Sequence, residues 1–104
     1  MTNATNFFKP SESPFLNQIR QIIRLTHMSR STEKSYLYYI LDYIRFHAKR
    51  HPNEMGVDEV RAYLTHLAVQ NNIAASTQNI ALSALLFLYR QVLKIKLPDI
   101  DNVV

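Results

Sequence analysis

Apolar residues recur at spacings of three and four along most of this chain, which predicts helices that each bury one face. The first helix is predicted to start at Ser13-Pro14, because a serine hydroxyl caps free amides and a proline is tolerated in the first turn. It is expected to end at about Leu25 or Thr26. Its inward-facing residues are Phe15, Leu16, Ile19, Ile22 and Ile23.

A second helix is predicted to open at Arg30, with Ser29 as its cap and Thr32 helping to satisfy the amides of the first turn. It is expected to fade near Arg50, because Pro52 disfavours helical geometry in the residue before it. Its inward stripe consists of Tyr36, Ile40, Tyr43 and either Phe46 or His47.

The third helix is predicted to start at Gly56, which places the Glu59 carboxylate at the third helical position, near the positive end of the helix dipole. The polar run from Gln70 to Asn72 suits the end of this helix. Its inward residues are Val60, Tyr63, Leu64, Leu67 and Ala68.

The fourth helix is predicted to begin between Ala74 and Ser76 and to run to about Lys94, and Pro98 then ends the ordered body. Its inward residues are Ile80, Ala81, Ala84, Leu85, Leu88, Tyr89, Val92 and Leu93.

Four helices with short connections predict an all-α fold, in which two long helices (the second and fourth) alternate with two shorter ones around one core. Helices that are neighbours along the chain are expected to pack as antiparallel hairpins or steep crossings. One glycine in 104 residues leaves little material for tight hairpins, which argues against an all-β fold. We expect one domain over residues 13–97, between a flexible leader at 1–12 and a tail or the start of a linker at 98–104.

Composition narrows the function classes. No apolar run reaches the roughly 20 residues that cross a membrane, and the N-terminus lacks the pattern of a signal peptide. The absence of cysteine excludes disulfides and thiolate chemistry. There is no glycine-rich phosphate loop, and the adjacent Asp58 and Glu59 point about 100° apart on a helix. We therefore expect no independent enzyme activity and no cofactor.

His47 and His51 lie four residues apart, a spacing that can place two imidazoles on one helix face. No acidic residue or cysteine nearby completes a set of three or four metal ligands. The preferred interpretation is a favourable interaction of both histidines with the dipole at a helix C-terminus, and no metal site is predicted.

Basic and polar residues mark a candidate binding surface. The net charge of +4 permits nucleic-acid binding without requiring it. Basic side chains lie at both ends of the second helix, and short hydrogen-bonding side chains lie at the start of the fourth, where a helix N-terminus favours phosphate and amides can pair with adenine. These residues are Arg30, Lys34, Lys49, Arg50, Ser76, Thr77, Gln78 and Asn79.

The residues alone leave alternatives open. The same polar run is equally consistent with helix caps and a solvated face. Tyr38 lies off the apolar stripe, so it is held open as a surface residue on which a base could stack, whereas Tyr36 and Tyr43 are expected in the core. A helical protein-interaction domain is the competing function class.

Several segments resemble a known family. The run Ser29-x-x-Thr32-x-x-x-Tyr36, with Ile40 and Tyr43 following, resembles the second helix of the core-binding domain of tyrosine recombinases. More specific similarity to integron integrases lies in His47–Pro52 with Met55-Gly56, in Tyr63–Ala68, in Ala74–Asn79 and in Ala84–Arg90. The resemblance covers roughly residues 15–104.

This resemblance implies an N-terminal SAM-like four-helix domain that clamps one face of DNA with its second and fourth helices. By position it adds Ser31 and Ser35 to Arg30 and Lys34 on the second helix. It implies a cytoplasmic bacterial protein, associated with the nucleoid during recombination, that recombines gene cassettes at duplex sites and at folded single-stranded sites. Its partners would be DNA and other recombinase protomers. We expect the isolated domain to be monomeric.

In that family the catalytic arginines, lysine, histidine and nucleophilic tyrosine belong to a separate C-terminal domain. None of the six tyrosines of this chain matches the nucleophile. The expectation is therefore a positioning clamp whose catalytic partner lies beyond residue 104.

Overall fold

The computed structural model describes residues 14–97, and these form four α-helices. Helix α1 spans Pro14–Leu25, as its apolar spacing predicts. It ends where the Thr26 hydroxyl donates to the Ile23 carbonyl at 2.6 Å and His27 adopts a left-handed conformation with φ of 58°. The predicted Ser13 cap, the leader at 1–12 and the tail at 98–104 lie outside the described residues.

Helix α2 spans Arg30–Phe46, and the predicted Ser29 cap is confirmed, since its hydroxyl accepts from the Thr32 amide at 3.2 Å. The predicted end near Arg50 is wrong. The helix stops four residues earlier, where the amides of Ala48 and Lys49 donate back to the carbonyls of Arg45 and Ile44. Both Ala48 and Lys49 have positive φ, so this is a Schellman ending built without glycine.

A single 3-10 turn at Pro52–Glu54 leads to helix α3, which spans Val57–Val69. Gly56 is the residue that precedes the helix, and its amide donates to the Glu59 carboxylate at 2.8 Å. That bond confirms the expected place of Glu59 at the third helical position. The helix ends before the asparagine pair, as predicted, and Asn72 turns the chain with a φ of 51°.

Helix α4 spans Ala75–Phe87 and continues directly into a π-helix at Leu88–Val92. The predicted helical stretch is present, but its last turn is wider than an α-turn, and the Leu93 amide donates to the Leu88 carbonyl at 2.9 Å. Lys94 then ends the run with a φ of 57°. Apolar spacings of three and four fit both kinds of turn, which is why the pattern could not distinguish them.

Within residues 14–97 there is no strand, and one apolar core lies between all four helices. Two residues predicted to face inward do not: Ala68 is exposed, and Ile80 is 41% exposed. No helix in this range is long and apolar enough to cross a membrane. The largest fully buried side chains are Tyr43, Tyr63, Tyr89, Leu16, Ile19, Ile23, Ile40, Leu67, Leu85 and Leu88.

The most extensive interface joins α2 to α4. Ser31 and Ser35 line a groove with Asn79 and Ser83, Tyr36 packs against Phe87 at 5.7 Å between ring centroids, and Tyr43 packs against Tyr89 at 6.4 Å. The contacting positions advance together along both helices. Helices α2 and α4 therefore run in the same general direction, with their N-termini at the same end of the domain.

Hydrogen bonds among two buried tyrosine hydroxyl groups and one backbone carbonyl stabilise this interface. The Tyr89 hydroxyl donates to the Pro52 carbonyl at 2.8 Å and lies 2.9 Å from the Tyr43 hydroxyl. Because Tyr89 has one proton to give, Tyr43 must donate to Tyr89. Burial raises the pKa of Tyr89 to about 12, and burial together with donation to Tyr89 raises that of Tyr43. These hydrogen bonds therefore link α2, the π-helix that continues α4 and the Pro52 turn through neutral hydroxyl groups.

The order of donors in these hydrogen bonds predicts unequal effects of removing the two hydroxyl groups. Tyr89→Phe leaves both the Pro52 carbonyl and the Tyr43 hydroxyl without this hydrogen-bond partner, and should lower the free energy of unfolding by about 2–3 kcal/mol. Tyr43→Phe leaves the bond to Pro52 intact and should cost about 1 kcal/mol. Urea denaturation followed by circular dichroism measures both, and a larger loss for Tyr43→Phe would refute the donor order.

The openings of α2 and α4 predict a second pair of stability effects. Ser29 and Ala74 have nearly the same backbone angles, with φ of −65° at both and ψ of 159° and 158°, but only Ser29 has a side chain that caps its helix. Ser29→Ala should cost about 1 kcal/mol, and Ala74→Ser should add about 0.5–1 kcal/mol. Thermal and urea denaturation test this, and a destabilising Ala74→Ser would contradict it.

Candidate nucleic-acid interface

The first two turns of α2 form an exposed ridge, defined by Arg30, Ser31, Lys34 and Tyr38. Arg30, Lys34 and Tyr38 follow at steps of four residues, so they lie on one side of the helix over about 12 Å of its length. Tyr38 is 58% exposed and meets Tyr39 edge to face at 4.9 Å. Its expected place at the surface is confirmed, whereas its stacking role stays a prediction.

A hydroxyl groove of about 400 Å³ lies on the α4 side of this ridge. It brings together Ser31 and Ser35 of α2 with Asn79 of α4, three of the residues predicted for the site. Hydroxyl and amide groups of this kind both donate and accept hydrogen bonds, so the groove can contact phosphates, sugars or base edges. Its lining is Ser31, Thr32, Ser35, Tyr36, Asn79, Ile80 and Ser83.

A cationic groove of about 690 Å³ lies on the other side of the ridge, where α1 turns into α2. Arg24 and His27, which sequence reasoning missed, join Arg30 and Lys34 there. The sequence shows that both residues are polar, but it does not show that the turn after α1 places them beside α2. The lining is Arg24, His27, Met28, Arg30, Glu33 and Lys34.

The remaining predicted residues of α4 divide by exposure. Ser76 is exposed and Thr77 half-buried, both at the start of the helix beside Asn79. Gln78 does not fit a base contact: its side chain is buried, with 8% of its surface exposed, and its amide donates to the Leu64 carbonyl at 3.2 Å. Gln78 therefore fastens α4 to α3.

Lys49 and Arg50 lie at the opposite end of α2, about 24 Å along the helix from Arg30. The guanidinium of Arg50 lies 3.7 Å from the Glu59 carboxylate and donates to the Glu54 carbonyl at 2.9 Å. The Gly56 amide, with help from Arg50 and His47, lowers the pKa of Glu59. Arg50 thus braces the loop before α3, and neither residue joins the ridge or its grooves.

His47 and His51, the two histidines considered above as metal ligands, form separate hydrogen bonds. The His47 ring nitrogen Nε2 lies 2.9 Å from the Glu59 carbonyl, and His51 Nδ1 accepts from the Asn53 amide at 3.1 Å. Among residues 14–97 no group of three metal-ligating side chains comes together. His47 follows the last residue of α2, consistent with the dipole interpretation. For His51 that interpretation is wrong, because His51 caps the start of the 3-10 turn at Pro52–Glu54.

The cations around the cationic groove differ in pairing from two arginines elsewhere. Arg50 pairs with Glu59, and Arg61 pairs with Asp58. Within residues 14–97, Arg24, Arg30 and Lys34 form no ion pair, although Glu33 lines the same groove. With three cations and one carboxylate, the N-terminal end of α2 and the turn before it carry an excess of positive charge.

Comparison with known proteins agrees with this architecture. A family described as "Phage integrase, N-terminal SAM-like domain" matches residues 15–99. Two proteins named "Integrase/recombinase", one from Escherichia coli and one from Pseudomonas aeruginosa, are each 40% identical over 104 residues. The match covers 99% of this chain and 31% of each relative, so the chain spans about a third of their length. The all-α fold described above is thus that of the phage integrase N-terminal SAM-like domains, and the chain belongs to this family.

Proposed function

We propose that this domain binds DNA for an integron-type tyrosine recombinase, holding the recombination site while a separate catalytic domain breaks and rejoins the strands. The observation that carries the proposal is the ridge of α2, with exposed and unpaired cations at the same end of the domain as the N-terminus of α4. Membership in an integrase domain family supports the same function.

The two sides of the ridge suit different parts of DNA. Arg30 and Lys34 carry charges that phosphates would neutralise, and such contacts supply affinity and register rather than sequence information. Asn79, exposed in the hydroxyl groove, has the amide that can pair with the edge of adenine. Ser31, Ser35, Ser76 and Thr77 add short donors to phosphate or sugar.

Tyr38 continues the line of Arg30 and Lys34 and is the candidate for stacking on an unpaired base. A domain that offers both cations and an exposed aromatic ring can bind a folded single strand as well as a duplex. This supports the proposed use of folded single-stranded cassette sites. The setting we propose is the bacterial cytoplasm at the nucleoid, with further recombinase protomers as protein partners.

A protein-interaction domain is the second candidate, and one observation favours it. Phe46 and Val69 are 40% and 67% exposed, and Phe46 packs on His66 at 4.7 Å between ring centroids, so an apolar line runs along α2 and α3 away from the ridge. Binding to DNA that is absent at low salt, or insensitive to salt, would favour this candidate over DNA binding.

Neutralising the ridge tests the proposed function. Arg30→Gln with Lys34→Gln should weaken binding of the 104-residue chain to a labelled duplex and flatten the log–log salt dependence by about 1.8, or 0.9 per phosphate contact. The melting temperature should not fall, because both side chains are exposed and form no ion pair within the described residues. Fluorescence anisotropy at several salt concentrations gives the slope.

The control is Arg61→Gln, which removes one exposed charge, paired with Asp58, from α3 and should leave the slope unchanged. Equal effects per charge at Arg61 and on the ridge would mean that net charge, and not this surface, governs binding. A fall in melting temperature for the double variant would instead assign Arg30 and Lys34 a structural role.

Removing the Asn79 amide tests base recognition. Asn79→Ala should reduce the preference for a cognate site over random duplex by about 1–3 kcal/mol while leaving the salt slope unchanged. Competition binding with the two duplexes measures this preference. Asn53→Ala, an exposed asparagine at the far end of α2, is the control. A flattened salt slope with unchanged preference would place Asn79 on the DNA backbone instead.

A further inference from the structure

The cationic groove holds two basic side chains that neither the apolar pattern nor the position of α2 indicates. Arg24 lies in the last turn of α1, and His27 lies in the turn that follows. Both are exposed, and both line the groove together with Arg30 and Lys34. The groove therefore has basic side chains that come from different elements.

The local fold places Arg24 and His27 close to the start of α2. His27 has a left-handed backbone, which reverses the chain directly after α1, and its amide donates to the Arg24 carbonyl at 3.1 Å. Met28, half-buried and packed against the core, anchors the turn from beneath. A reversal held in this way keeps Arg24 and His27 beside the first turns of α2.

The charges in the groove do not cancel. Three permanent cations, Arg24, Arg30 and Lys34, face one carboxylate, Glu33, and none of the three lies in an ion pair with it. Arg50, which has a structural role elsewhere in the described chain, forms an ion pair with the carboxylate of Glu59. An excess of positive charge around an open groove favours the binding of an anion there.

We propose that the cationic groove binds the phosphodiester backbone of one DNA strand, with Arg24 and His27 as phosphate-contacting residues on α1 and its following turn. The inference rests on the proposed function and extends it, because it places a backbone strand between α1 and α2, apart from the hydroxyl groove between α2 and α4. Arg24 supplies a permanent charge. His27 supplies a ring N–H that can donate a hydrogen bond to a phosphate oxygen.

The test measures binding of the 104-residue chain to a random-sequence duplex by anisotropy across a salt series. Arg24→Gln should flatten the log–log slope by about 0.9 and weaken low-salt binding about 2- to 5-fold. Arg24→Lys keeps the charge and should retain the wild-type slope. Arg61→Gln, which removes an equal charge from α3, should also leave the slope unchanged.

His27→Asn supplies an independent readout, because asparagine tolerates the left-handed backbone that this position requires. It removes the imidazole from the groove and should weaken low-salt binding to the duplex about 2- to 5-fold, with the melting temperature unchanged because the side chain is exposed. A lower melting temperature would assign His27 a structural role instead, and unchanged binding would remove His27 from the site.

The outcomes distinguish failure of the groove proposal from failure of the proposed DNA-binding function. If Arg24→Gln behaves like Arg61→Gln while Arg30→Gln flattens the slope, the groove proposal is wrong and DNA binding stands. If the wild-type chain shows no salt-dependent binding, both fail. Equal competition by inorganic phosphate and by duplex DNA at matched phosphate concentration would show a site for free anions and overturn the assignment to a DNA strand.

Discussion

The packing of α2 against α4 is the interaction on which the rest of the structure depends. Because the two helices run in the same general direction, their N-termini lie at one end of the domain, and the hydroxyl groove exists only as the space between them. The hydrogen bonds from Tyr43 to Tyr89 and from Tyr89 to the Pro52 carbonyl stabilise the interface inside the core, beyond the grooves. The residues that stabilise the interface and the residues that form the candidate binding surface thus lie on different stretches of the same two helices.

The distribution of ion pairs divides the basic side chains by role. Arg50 and Arg61 have carboxylate partners, and Arg50 also holds the loop before α3. Arg30 and Lys34 have no such partner within the described residues, which is costly for folding through repulsion but favourable for binding an anion.

Local chemistry explains which parts of the fold the sequence could predict. Helix starts were readable, because Ser29 and Glu59 act through bonds to their own first turns. The end of α2 was not, since Ala48 and Lys49 adopt left-handed angles without the glycine that normally marks them. Gln78 was misplaced because a polar residue next to a helix start looks exposed until a partner such as the Leu64 carbonyl is known. The cationic groove depends on the turn after α1, and no spacing rule encodes it.

Binding of DNA to the ridge and its two grooves can be mapped by amide chemical shifts of the ¹⁵N-labelled chain, titrated at low salt with a DNA hairpin and with a duplex of the same sequence. We expect the largest shifts in three segments: Arg24–Met28, Arg30–Ser35 and Ser76–Asn79. These shifts should shrink as the salt concentration is raised. Shifts confined to the exposed line of Phe46, His66 and Val69, or none at all, would contradict it.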